Sequence, residues 1–307
     1  MTTILLGPQR FTVTVAPTVR SLDVAGPIAM INAGWEEREP DDAELAGHLD
    51  GRGVNLRLYQ RAVELLSVDH ALRAAVLEHR ARHEELRAFY RIRLQSAHDA
   101  LLAVRHRTSR HGGGASADLA AVLALRDVDD WYTYEVARIT RETAAYEAIS
   151  GSAELARHRA EVAETLAGAS AVVMAGGHVG ILMEALHLFA VDLPADLPVV
   201  AWSAGAMAVC DPIVLFHDFA PHGIAADEVH DRGLGRLSGV IAFPHAKRRI
   251  RLDDPERMAA LIDRFPNHSL VPLDDGTIVR VATGTSALPA GTRVFAPSGI
   301  VTTEGAS

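Results

Sequence analysis

Ser203 is the residue of this sequence best placed to act as a nucleophile. It lies in Ala201-Trp202-Ser203-Ala204-Gly205, after the apolar pair Val199-Val200 and before Ala206-Met207-Ala208-Val209. A serine hydroxyl attacks a carbonyl when it is exposed and a base can take its proton, and a sharp strand-to-helix turn supplies the exposure. In such a turn strand and helix approach so closely that the positions two before and two after the nucleophile must be small, as Ala201 and Gly205 are. The turn also aims backbone amides at the reacting carbonyl, which makes the Ala204 N–H a candidate oxyanion donor. One strand–turn–helix unit earlier stands Ala175-Gly176-Gly177. Neighbouring strands would set the Gly177 N–H beside Ser203 as a second donor. Of the fifteen histidines, His245 stands out as the base because it ends the strand-like run GVIAFPH. Each feature also has a plainer reading: a structural serine, a tight glycine turn, a solvated histidine. Their order along the chain is what favours chemistry.

Three zones must position these residues. Residues 1–60 read as strands and loops and form the first part of an α/β domain. TTILLG, the alternating RFTVTVAPTV, the buried-type GPIAMINAG and GVNLRLYQ are its expected strands, with the acidic loop WEEREPDDAEL between the last two. Residues 61–168 are of another kind, proline-free through 167 and rich in Ala, Leu, Arg, Glu and His. Leu65, Leu72, Val76, Leu86, Tyr90, Ala97, Leu101 and Val104 recur at spacings near three to four or their multiples, which predicts one face of a long amphipathic helix. RHGGGASAD breaks it, Ser116 is a fitting N-cap for a second helix through about Ile149, and a third runs from Ser150–Ser152 to Gly168. This zone is expected to be a helical hairpin or bundle inserted into the α/β domain. Residues 169–307 return to strand–turn–helix alternation, which predicts a mostly parallel sheet with flanking helices and chemistry at the carboxyl ends of its strands.

SAGA at 203–206, the preceding AGGHVGILMEAL and the later FPHAKRRIRLDDPERMAAL together resemble the serine peptidase family of dipeptidase E and cyanophycinase. The resemblance spans 169–285, extends loosely over 1–60 and leaves out the helical zone. It implies a class I glutamine amidotransferase-like, flavodoxin-like fold and a serine hydrolase that cleaves a peptide or amide bond through an acyl-enzyme. Residue by residue, Ser203 matches the nucleophile, His245 the base, and Gly177 with Ala204 the oxyanion hole. For the acid, Asp218 in CDPIVLFHD matches the dipeptidase E segment, and Asp275 in LDDG is the alternative. Among the basic residues after His245, Arg249 and Arg251 are candidates to bind a substrate carboxylate. The sequence departs from the family pattern in two places: Ala201 replaces the usual glycine, and Phe243-Pro244 and Ala246 replace the more typical neighbours of the base.

Composition narrows the alternatives. Thirty basic against thirty-nine acidic residues give a net charge of -9, which argues against a nucleic-acid partner. The single cysteine, Cys210, excludes an intrachain disulfide and a multi-cysteine zinc site. His79 and His83 are spaced i, i+4 but have no accompanying carboxylate motif, so no metal is expected. Ala175-x-Gly177-x-x-Gly180 is a degenerate dinucleotide fingerprint lacking its first glycine and its ribose-binding acid, so no cofactor is expected. MTTILLGPQRF carries no charged leader, and no apolar stretch approaches the ~20 residues of a membrane span. The expectation is a cytoplasmic protein with a small peptide or amide substrate and no membrane partner. Its helical zone would cover the site as a lid or build a homo-oligomer. The runner-up is a non-catalytic protein of the same fold whose helices bind a partner.

Overall fold

Short runs of consecutive apolar residues form strands that a sheet buries on both faces. In the computed structural model, which describes residues 2–107, 109, 111–144, 146–219, 226–285 and 287–303, the first five are β1 (Thr2–Leu6), β2 (Ile28–Ile31), β3 (Gly53–Asn55), β4 (Ala171–Met174) and β5 (Val199–Trp202). They lie parallel in the order β1-β5-β4-β2-β3. β6 (Ile213–Leu215) and β7 (Glu228–Asp231) form an antiparallel pair, and β8 (Val240–Pro244) and β9 (Ser269–Leu273) a parallel one. β10 (Ile278–Ala282) closes the main sheet antiparallel to β1, and β11 (Arg293–Ala296) and β12 (Gly299–Thr302) make a terminal hairpin.

The helices are α1 (Val15–Arg20), α2 (Ala43–His48), α3 (Leu58–Val68), α4 (His70–Arg105), α5 (Gly114–Ala144), α6 (Glu147–Ser150), α7 (Ala153–Ala167), α8 (Val179–Leu188), α9 (Ala204–Val209), α10 (Ala246–Arg249) and α11 (Pro255–Arg264). Alternate side chains of each strand point to opposite faces, and both faces are covered. Ala171, Val173 and Val200 pack with Val15 and Val19 of α1 and Leu45 of α2. Val172, Met174, Val199 and Ala201 join the larger core with Leu58 and Leu65 of α3 and Leu182 and Leu186 of α8. Each large side chain buried in this way stabilises the fold by about 1.5–3 kcal/mol.

Between β3 and β4 the chain runs through α3–α7. α4 and α5 form a long antiparallel hairpin whose seam carries Leu72, Val76, Leu86, Tyr90, Leu94 and Leu101 against Val122, Leu125, Val128, Tyr132 and Val136. Tyr90 and Tyr132 stack in it at 4.1 Å between ring centroids. Its polar heart is a buried network. Arg264 of α11 donates to Asp129 (2.5 Å) and to the Tyr90 hydroxyl (2.9 Å), which itself donates to Asp129 (2.8 Å) and accepts the Val229 N–H (2.9 Å).

Four local expectations are corrected. RFTVTVAPTV is a loop followed by α1, because Val15, Val19 and Thr18 form a buried helical face and the Gln9 side-chain oxygen accepts the Thr14 and Val15 N–H groups (2.8 Å each) at the helix start. The acidic stretch is not a loop throughout, since the 3-10 turn over Ala33–Arg38 runs into it and its last three residues open α2. GVNLRLYQ is a three-residue strand that gives way to α3, because the Glu39 carboxylate accepts the Tyr59 and Gln60 N–H groups at the helix start. The long helix does not run through from Leu65. Asp69 interrupts it in extended conformation and caps α4 by accepting the Leu72 N–H (2.9 Å), while α5 starts at Gly114, ahead of Ser116. No helix among the described residues is long and apolar enough to cross a membrane.

Candidate active site

β4 and β5 are parallel neighbours, so their carboxyl ends open on the same edge of the sheet. β5 leads into Ser203 and β4 into Gly176-Gly177. Ser203 has φ 50° and ψ −121°, a backbone conformation that a residue with a side chain rarely adopts. The turn is held tight by Gly205, where a Cβ would come within 2.3 Å of the Met174 carbonyl oxygen. This is the physical reason for a glycine two positions past the serine. Gly177 has φ 113°, and a Cβ there would fall 2.0 Å from the Gly34 carbonyl oxygen, which accepts the His178 N–H at 2.7 Å and pins the turn. On its other side the turn touches the serine, since a Cβ at Gly176 would lie 2.8 Å from Ser203 Cβ.

His245 arrives from β8. It too has a left-handed backbone, φ 59° and ψ 33°, which turns the chain from β8 into α10. The parallel pairing of β8 with β9 fixes its place, and its N–H donates to the Leu273 carbonyl at 3.0 Å. Ser203 Oγ and His245 Nε2 stand 3.4 Å apart. Side chains that could not approach within hydrogen-bond reach would rule catalysis out, and these two are within reach. Burial, then the charges of Arg249 and Arg248, hold the imidazole below its ordinary 6.5, while Asp275 and Asp274 pull the other way. A neutral ring near pH 7 is the form that can accept a proton.

Ser203, His245, Gly177 and Ala204 line one cavity of about 570 Å³. Ala204 opens α9, where the first amides of a helix have no helical acceptor. Arg249 lines the same cavity and has no ion pair among the described residues, and burial lowers its pKa. Arg251 does not line it. Its N–H holds Asp218 (2.7 Å) and its guanidinium lies over Phe219, 5.8 Å from the ring centroid.

The two candidate acids are placed differently. Asp218 is fully buried, and its carboxylate is occupied by Arg257 Nη2 (2.9 Å) and Nε (3.1 Å) and the Arg251 N–H. Asp275 is partly exposed and pairs with Arg248 at 3.4 Å. Neither hydrogen-bonds His245 among the described residues. Asp274, which is not among the acids expected from the sequence, is buried beside His245. Its Oδ1 accepts the Lys247 N–H at 3.0 Å and its Oδ2 has no partner among the described residues. The signal for it was its position directly after β9, the strand paired with the one that delivers His245.

Three further groups from outside the motif line the cavity: Arg87 and Arg91 of α4 and Glu228 of β7. Glu228 accepts from Arg87 at 3.0 Å and from Arg91 at 2.8 Å. Cys210 is buried, and desolvation pushes its thiol up to about 12, so it is not a competing nucleophile. His79 and His83 lie with ring centroids 4.4 Å apart, and no group of three or more metal-ligating side chains is assembled among the described residues.

The sequence profile of peptidase family S51 matches residues 120–288, which include Gly177, Ser203, Asp218, His245 and Asp275. A comparison with curated proteins gives no match. Among solved structures the chain is similar to the crystal structure of a peptidase from an acI-B1 Actinobacterium, at 12% identity and a TM-score of 0.40, over 100% of this chain and 95% of that one.

Proposed function

Because the chain belongs to peptidase family S51 and is a hydrolase of that family, we propose that it cleaves its substrate through an acyl-enzyme on Ser203, in the manner of dipeptidase E or cyanophycinase. The observation that carries this is the 3.4 Å approach of Ser203 Oγ to His245 Nε2, made by residues 42 positions apart. That separation is longer than a good hydrogen bond, as is common before substrate tightens a catalytic pair.

His245 takes the Ser203 proton as Oγ bonds to the substrate carbonyl carbon. The carbonyl oxygen becomes an oxyanion facing the Gly177 and Ala204 amides, where preorganised donors stabilise it. His245 then gives its proton to the leaving nitrogen as the C–N bond breaks. Water, deprotonated by the same ring, releases the acyl group and returns the proton to Ser203. The negative charge that steadies the imidazolium comes from the Asp274–Asp275 corner. Asp218 keeps its carboxylate on Arg257 and anchors the loop after β6. Arg249 offers the cavity an uncompensated positive charge for a substrate carboxylate.

Ser203→Ala tests this reading. We expect an unchanged thermal midpoint and a fall in peptide hydrolysis of at least about 10³-fold. Turnover within a factor of a few of wild type overturns the assignment.

A further inference from the structure

Beside the Ser203 cavity lies a second cavity of about 610 Å³, and the two share the side chains of Arg87 and Arg91. The dividing backbone is the Gly176-Gly177 turn and its continuation into α8. Gly177 and Val179 line the first cavity, and His178 and Gly180 line the second. A substrate held at the Gly177 amide therefore has to extend by only a residue or two, at ~3.3–3.6 Å per residue, to enter the second cavity.

Most of the charges around this second cavity are paired, while Glu84 and Arg159 have no ion pair among the described residues. Glu228 holds Arg87 and Arg91, Glu184 pairs with Arg80, and Arg159 donates to the Leu188 carbonyl at 2.9 Å. Asp231 faces His187 at 4.0 Å. Burial lowers the pKa of His79 and takes His83 and His230 down to about 4, so these rings are uncharged near neutral pH. Between them stand the apolar side chains of Val76, Ile149, Ile181 and Leu188. Neutral rings and aliphatic walls suit an uncharged side chain, which loses nothing by leaving water for such a surface.

We infer that this second cavity is a substrate subsite, so that the enzyme takes peptides longer than two residues and seats an apolar or aromatic side chain of the substrate there. The inference rests on the reading of Ser203 as the nucleophile at the adjoining cavity. Each cavity alone falls in the ~300–1,000 Å³ range that encloses a whole small ligand. A dipeptide is accommodated by the first, and the second continues from it along the oxyanion turn. Its walls come mainly from α4, α5 and α8, so the helical segment contributes directly to substrate choice.

The test uses the intact purified protein with two probes, an equimolar dipeptide mixture and a degenerate hexapeptide library, both read by mass spectrometry. Ala88→Trp on α4 and Thr140→Trp on α5 each put an indole into the second cavity. Wild type should cleave hexapeptides, favouring those with Phe or Leu near the cut, and each variant should lower the ratio of hexapeptide to dipeptide turnover by about tenfold or more. A wild-type enzyme that cleaves no hexapeptide overturns the inference, as does the absence of any Phe or Leu preference. An unchanged ratio in a folded variant overturns it too. Ser203→Ala, run on both probes, separates the two claims. Residual turnover there contradicts the serine mechanism, while the ratios judge the subsite on their own.

Discussion

His245 can serve as a base only while its ring is neutral, and its neighbours set the pH at which that holds. Burial and the positive charges of Arg249 and Arg248 favour the neutral ring, against Asp275 and Asp274, which favour the charged one. Activity is therefore present above the lowered pKa and lost as pH falls through it, so the acid limb of kcat/KM should have its midpoint below the ordinary 6.5. Arg249→Gln removes a positive neighbour and should move that midpoint up, and Asp275→Asn should move it down. Asp218→Asn should leave it in place, because that carboxylate is engaged by Arg257. A pH–rate series over these variants checks all three directions. A shift in Asp218→Asn with none in Asp275→Asn would reinstate Asp218 as the acid. That Ser203, His245, Gly177 and Ala204 would meet at one sheet edge was legible in the sequence because each sits where an apolar run ends in a small residue or a turn. The surroundings of the carboxylates were not, because they depend on two long-range facts: the hold of Arg257 on Asp218, and the β8–β9 pairing that sets Leu273-Asp274-Asp275 beside His245.

At the scale of elements, the α4–α5 hairpin is fastened to the rest of the fold by charge as well as by its apolar seam. Arg264 and Arg257 of α11 reach Asp129 of α5, Asp227 just before β7, and Asp218 after β6. Tyr90, three residues after Arg87 and directly before Arg91, is tied into the same network. Removing one partner of such a buried pair strands the other, at a cost of about 3–5 kcal/mol. Asp129→Ala should lose that much in urea unfolding, while the double change Asp129→Leu with Arg264→Met should recover most of it. A loss below ~1 kcal/mol in the single variant contradicts this view of the hairpin. The hairpin's helices were legible from the spacing of Leu72, Val76, Leu86 and Tyr90. The interruption at Asp69 was not, because the apolar period continues from Leu65 across a residue whose side chain caps the next helix. α1 was misread for the opposite reason. Alternation in FTVTV mimics a strand, and only burial of Val15 and Val19 against the sheet selects the helix.

For the whole molecule, the parallel sheet gathers residues from distant parts of the chain onto one edge, and the helical segment between β3 and β4 completes the cavity they share. The sequence pattern carried the sheet and the order of its turns. It gave no sign that α4 would present Arg87 and Arg91 to the cavity that holds Ser203, since that depends on how the hairpin packs on the sheet. The account stands or falls on Ser203 being a nucleophile activated by His245. A fluorophosphonate probe tests that directly, because it bonds to an activated serine, and peptide mapping of the adduct identifies the residue. The account predicts a single adduct on Ser203 in the wild-type protein, abolished in Ser203→Ala and strongly slowed in His245→Ala. An adduct on another residue, or labelling of Ser203 at the same rate without His245, would contradict it.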